Sequence, residues 1–224
     1  MIGKLKALMK TIRTNLRLFP LTTAVRLPVV VGPKVRIRGL RRGCIVLTPP
    51  VRTAMCSLGY RNGSADAGAG KRSCLLFGER GTLTVADKFF LANDFHMSIY
   101  GSVKAGKNVH FNHGLILNCR GSIVIGNDCL FGWRVTLLDN DGHEFAIDGR
   151  MRQAVKDIEI GDNVWCAAEA AVLKGTYIRR DSIIGYGTVV SGEYPECAVI
   201  SLPRNKVLQH NEILWHLSVM SFEK

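Results

Sequence analysis

Between Ile158 and Val190 an apolar or small residue returns at every sixth position: Ile160, Cys166, Val172, Ile178, Ile184 and Val190. A step of six matches neither the 3.6-residue period of an amphipathic helix nor the two-residue alternation of a hairpin strand. It suits short strands joined by tight turns, each setting one large side chain at the same point of a flat side. Small or turn-forming residues follow the inward position in Ile160-Gly161, Cys166-Ala167 and Ile184-Gly185. Stacked coils of this kind bury those side chains in one continuous core, which is the construction of a solenoid.

The turn signature recurs upstream. Ile160-Gly161-Asp162-Asn163-Val164 is echoed by Ala105-Gly106-Lys107-Asn108-Val109 and by Ile125-Gly126-Asn127-Asp128-Cys129. From the last box, Ile125, Phe131 and Leu137 keep the six-residue step. Between Leu137 and Ile158 the period breaks in a polar, charged run. A stack of coils can extrude a loop without losing its core, and loops of this length in a compact domain are often functional. The loop 138–157 is therefore expected to project and to form one wall of an active site.

This stretch resembles the hexapeptide-repeat acyltransferases, and in particular sugar O-acetyltransferases of the galactoside, maltose and polysaccharide-biosynthesis types. The resemblance implies a mainly β chain: a left-handed parallel β-helix with an N-terminal amphipathic helix and a short C-terminal helix. The handedness belongs to the resemblance, since crossovers between parallel strands are otherwise right-handed. The expected organisation is a helix over 1–20, irregular strands and capping coils with a loop over 21–80, the β-helix over 81–200, and a C-terminal tail or helix over 201–224.

Six histidines occur, and His143 stands in the extruded loop within Asp139-Asn140-Asp141-Gly142-His143-Glu144. A neutral imidazole can take a proton from a hydroxyl or amine near physiological pH. Its acidic neighbours Asp139 and Asp141 could orient the ring, stabilise its charged form and contact substrate. The run WRVTLLDNDGHEF resembles the family segment that ends in the catalytic histidine, which implies His143 as general base; Glu144 stands where the family often has proline. KNVHFNHG matches a second family element and implies Asn112 as a contact to the acceptor sugar. The acidic residue that usually follows has no clear counterpart; Asn118 and Arg120 occupy that neighbourhood.

The donor implied by the resemblance is acetyl-CoA, with its pantetheine arm in a groove between coils. Ala168, Tyr186 and Ser191 align with such positions, Tyr186 replacing a usual alanine and Gly192 a frequent lysine; Trp165 is typical of the family, which implies a place either beside the cofactor or at a subunit boundary. SLPRNKV resembles the family's closing motif, with Ser201 for its glycine, and makes Arg204 or Lys206 the cation for the CoA phosphates. No metal is needed for that chemistry. The resemblance further implies a homotrimer with each site shared between two subunits, so Asn112 and His143 would come from different chains.

Composition bears on the rivals. The formal net charge of +12 suits an anionic partner: nucleic acid, a membrane surface or a phosphorylated cofactor. Ile2, Leu5, Leu8, Met9, Ile12, Leu16 and Phe19 recur at helical spacing, with Lys4, Lys6, Lys10, Arg13 and Arg17 among them and Pro20 after. Such a helix either packs on the protein or makes peripheral contact with an anionic membrane. Nucleic acid is not expected, because aromatic and basic residues are not interleaved as in single-strand binders. The Gly68–Lys71 run has the wrong spacing for a phosphate loop. Seven cysteines without a CxxC pair point to reduced thiols and a cytoplasmic location, peripheral to the inner membrane surface if the helix binds it. Three rival readings stay open: N-acetylation of an amino or nucleotide sugar, a non-enzymatic scaffold, and a zinc carbonic anhydrase-like site drawing on His110, His113 and His143.

Overall fold

In the computed structural model the described residues are 2–60, 72–144, 146–148, 150–201 and 206–209. Parallel strands stack in three ladders, and the chain crosses them in turn. The first ladder runs through Ile45–Leu47, the start of Thr82–Ala92, the start of Ser102–Phe111, Ser122–Ile125, Ile158–Ile160, Tyr177–Ile178 and Glu193–Tyr194. The second takes Val29–Val31, Cys56–Tyr60, the ends of the two long strands, Leu130–Phe131, Trp165–Cys166, Ile183–Ile184 and Ala198–Ser201. The third takes Val35–Arg38, Ser73–Phe77, His96–Ile99, Ile116–Cys119, Thr136–Leu138, Ala171–Leu173 and Val189–Val190. The result is a three-sided parallel β-helix.

Register puts one apolar column behind each face. On the second face Leu58, Leu91, Phe111, Phe131, Cys166, Ile184 and Ile200 lie in line, all buried. Phe111 and Phe131 stack with ring centroids 4.2 Å apart and planes 14° from parallel. The third face carries Leu75, Met97, Leu117, Leu137, Val172 and Val190 in the same way. Phe131, Cys166 and Ile184 on the second face and Leu137, Val172 and Val190 on the third are residues of the six-residue step, so from Ile125 on the sequence period is the core itself.

The coils are not of one length. Val85 pairs with Ala105 and Ala105 with Ile125, a repeat of 20 residues, whereas Ile160 pairs with Ile178, a repeat of 18. The steps from Met97 to Ala105 and from Leu117 to Ile125 each hold two residues more than six, at the edge joining third face to first. This is why the period reads poorly before Ile125. The recurring box marks another edge, that joining first face to second. There Asn108, Asp128, Asn163 and Asp181 all take positive φ, from 54° to 58°. Asn and Asp tolerate that left-handed conformation better than other residues with a Cβ. Their side chains also link coils: Asn108 Nδ2 donates to Asp128 Oδ1 and Asn163 Nδ2 to Asp181 Oδ1, each at 2.8 Å. The glycine of the box is needed for close approach, since a Cβ at Gly161 would lie 2.6 Å from the Arg180 nitrogen.

The helix Ile2–Leu18 covers the open end of the first coil. Asn15 accepts from the Val29 amide at 3.1 Å and donates to the Val29 carbonyl at 2.7 Å, and Thr11 accepts from the Val31 amide at 2.9 Å. These bonds occupy strand groups that have no earlier coil to pair with. At the other end Lys206–Gln209 pairs antiparallel with Ala198–Ser201. The C-terminal helix expected from Leu208 is thus corrected at its start: Leu208 and Gln209 are strand, because a free edge of the second face is available to pair. Residues 210–224, the rest of that expected helix, lie outside the described residues.

Candidate active site

The chain leaves the coil after Leu138, at the edge joining third face to first, and returns at Ile158. The root of this loop is fixed by buried polar groups. Asp139 is fully buried, and its carboxylate accepts from the amides of Arg120 and Gly121, each at 2.8 Å, and from Asn140 Nδ2 at 2.9 Å. Asn140, also buried, donates to the Asn118 carbonyl at 3.2 Å and accepts from the Gly142 amide at 3.1 Å. The returning limb bonds to the outgoing one through Asp141 N to Ala154 O at 3.0 Å and Lys156 N to Asp139 O at 2.9 Å. Beyond the root, Ala146–Ile147 and Arg150–Met151 form a short antiparallel pair. From the next coil Lys174 reaches across to the Asp141 carboxylate and to the Gln153 carbonyl. His143 follows Gly142, whose φ is +77°, and is exposed. The loop therefore holds an imidazole out from a stiff base.

An open cleft of about 1010 Å³ lies between the loop root and the later coils, with Asn140, Asp141, Lys156, Lys174, Tyr177 and Ser191 on its walls. Its lining is mixed, with Leu138, Val155 and Leu173 beside two lysines. His143 is not among those walls. Of the two expected acidic contacts, Asp141 reaches the cleft but is paired with Lys174, and Asp139 has its oxygens turned into the body.

A second group of expected residues lies on another edge, that joining second face to third. Asn112 is half-buried there, and its amide donates to the Phe131 carbonyl at 2.9 Å. Beside it His113 is buried and stacks on Trp133, centroids 5.8 Å apart. Ala168 belongs to the same edge, packed over Gly132, where a Cβ would come within 2.5 Å of the Ala168 nitrogen. Tyr186 is 64% exposed and lies beside the paired Glu169 and Arg134. Hydrogen bonding to Arg134 and then to Tyr186 holds the Glu169 carboxyl below the ordinary range, and the bond to Glu169 raises the Tyr186 phenol. This Arg134–Glu169–Tyr186 cluster escaped the sequence reading. Positions 134 and 169 are paired by the coil register across the loop, and no local spacing reveals that.

The remaining expected donor contacts separate further. Trp165 faces outward on the second face, 38% exposed, and Ser191 lies at the cleft. Arg204 and the side chain of Lys206 lie outside the described residues. One chain thus does not bring Asn112, Ala168 and Tyr186 together with His143 and Ser191; they occupy two different edges of the prism. The three histidines of the zinc reading are also apart. His110 sits on the second face, stacked on Phe90 at 5.7 Å, with its pKa lowered by burial and by Lys88. Among the described residues no group of three His, Cys, Asp or Glu side chains converges.

No protein-family model matches the chain. It is 37% identical over 102 residues to a galactoside O-acetyltransferase of Lactococcus lactis, covering 42% of this chain and 49% of that one. It is also 27% identical over 115 residues to the galactoside O-acetyltransferase of Escherichia coli, covering 50% and 56%. In sequence the chain is thus similar to galactoside O-acetyltransferases. It spans only about half the length of those two relatives. Among solved structures the polySia-specific acetyltransferase NeuO aligns with a TM-score of 0.54 over 88% of this chain and 92% of that one, at 19% identity. That match shows the left-handed β-helix fold over nearly the whole molecule.

Proposed function

We propose that the protein transfers an acetyl group from acetyl-CoA to a hydroxyl of a sugar or glycan precursor, with His143 as general base. The observation that carries the reading is the loop 139–157. It is rooted by buried Asp139 and Asn140, tied across to Lys174, and it extends an exposed imidazole outward. Rigid positioning of that kind is what proton transfer in a transition state requires. The names of the galactoside O-acetyltransferases and of the lipopolysaccharide-biosynthesis O-acetyltransferase WbbJ of Escherichia coli support an acyl transfer to sugars.

In this reading the donor supplies a thioester, whose acyl carbon is the electrophile. An imidazole nitrogen of His143 takes the proton of the acceptor hydroxyl as that oxygen bonds to the acyl carbon; the C–S bond then breaks, and the imidazolium returns the proton to the departing sulfur, which leaves as the free thiol. Asp139 is a positioning residue: it fixes the point at which the loop leaves the coil. Asp141, held by Lys174, keeps the loop segment before His143 in place and gives the cleft wall a polar point for an acceptor. Small Gly132, Ala168 and Gly185 keep the opposite edge low, and the exposed rings of Trp165 and Tyr186 offer apolar cover to a pantetheine arm. Because Asn112 and His143 occupy different edges, the complete site is formed by two subunits of a homotrimer. Seven free thiols agree with a reducing, cytoplasmic setting.

The test is thiol release from acetyl-CoA with a panel of glycans, amino sugars and nucleotide sugars. The His143→Ala protein should keep its fold and donor binding and lose on the order of 10²–10⁴ in turnover. Turnover close to that of the unaltered protein would remove His143 from the role.

A further inference from the structure

The helix Ile2–Leu18 is built from three stripes, about 100° per residue separating successive positions. The stripe that packs on the body is small and largely polar: Ala7, Thr11, Thr14, Asn15 and Leu18 are buried. The large aliphatic stripe points the other way. Leu5 is 59% exposed, Leu8 49%, Met9 45%, Ile12 39% and Leu16 50%. Single exposed aliphatic residues are ordinary, but five in one row on one helix are not. The usual amphipathic arrangement, apolar side in, is reversed here because Thr11 and Asn15 are needed to bond the first strand.

Cations form the third stripe, beside the aliphatic one. Lys6, Lys10, Arg13 and Arg17 line an open cleft of about 610 Å³ whose other wall carries Arg36. The Lys10 ammonium is used within the protein, donating to the carbonyls of Pro33 and Val35 at 2.8 Å each. Lys6, Arg13, Arg17 and Arg36 make no ion pair among the described residues. The charge is also segregated along the chain. Residues 1–60 contain twelve of the 30 lysines and arginines and none of the 18 acidic residues. The other 164 residues carry eighteen of each sign, so the whole net charge of +12 arises at the helix-bearing end.

We infer that this end docks on an anionic phospholipid bilayer, with the aliphatic stripe in the acyl region and the basic cleft at the headgroups. Both halves of the surface match that partner: a helix lying in the interface buries its apolar side and sets its cations at the phosphates. A second copy of the chain fits worse, since face-to-face pairing would oppose cations with cations and no acidic residue is present to relieve them. Nucleic acid would meet the cations but leave the aliphatic row in water.

Flotation of the full chain with vesicles tests this without reference to enzymatic activity. Binding is expected to vesicles of equal parts phosphatidylcholine and phosphatidylglycerol, and not to phosphatidylcholine alone. The variant Lys6→Gln/Arg13→Gln/Arg17→Gln/Arg36→Gln should lower partitioning roughly 10³-fold. Leu8→Ser/Ile12→Ser/Leu16→Ser should abolish it. All the altered side chains are exposed, so circular dichroism and thermal melting should be unchanged; if the triple variant melts early, Leu8→Ser alone takes its place. Absence of binding to the anionic vesicles, or binding indifferent to either variant, overturns the inference. So does self-association that the serine variant removes while vesicles go unbound.

Discussion

Asp139 illustrates how much a single buried carboxylate decides. It terminates the third-face strand, accepts from two backbone amides of the preceding coil and one side-chain amide, and so sets where the loop departs. Beside it the Cys119 thiol is pushed well up, first by burial and then by this negative charge. Replacing Asp139 by Ala would leave the Arg120 and Gly121 amides without their acceptor, while Asn140 Nδ2 keeps the Asn118 carbonyl. Each such loss costs about 1–3 kcal/mol, so urea unfolding should report a loss of roughly 2–6 kcal/mol, with Asp139→Asn in between because one oxygen remains. A loss below about 0.5 kcal/mol would mean that water replaces the carboxylate at once. The position of Asp139 next to His143 suggests substrate contact, and that is as far as the sequence reaches. Whether a loop residue faces the loop or the body depends on where the coil ends, and the six-residue step stops one residue too early to say.

At the scale of the element, the period and the Gly-Asn boxes were legible because each has a local cause: an inward side chain per face, and a left-handed turn that Asn and Asp accept. The 20-residue coils were obscured because the two added residues sit outside the core, at an edge where no apolar position marks them. The helix Ile2–Leu18 was legible as a helix, but periodicity names its stripes without saying which one packs. Cysteines test the inward assignment directly. Cys44, Cys56, Cys119, Cys129 and Cys166 are buried, and burial raises the pKa of each, Cys56 and Cys129 to about 12. Reaction requires the thiolate and access, and these five have neither near neutral pH. A thiol reagent should therefore label at most Cys74 and Cys197 in the native protein and all seven after unfolding. Rapid native labelling of Cys129 or Cys166 would contradict the packing of the second face.

At the scale of the molecule, the separation of the edges has a consequence for assembly. The outward positions Phe90, His110, Leu130, Trp165, Ile183 and Val199 lie in register along the second face, a mostly apolar strip on which neighbouring copies could pack. The proposed site joins Asn112 on one edge with His143 on another, and a threefold ring brings unlike edges of adjacent copies together. Mixing two defective chains separates this arrangement from a site within one chain. Co-expressed Asn112→Ala and His143→Ala chains that assort at random place an intact Asn112 opposite an intact His143 at about one interface in four. Thiol release by the purified mixture should then recover to about a quarter of the unaltered rate, while each variant alone stays inactive. A site contained in one chain gives no recovery at any mixing ratio, because every chain lacks one of the two residues. Sedimentation of the same mixture as a trimer ties the recovery to assembly; recovery in a monomeric fraction would break the link between the edges and the active site.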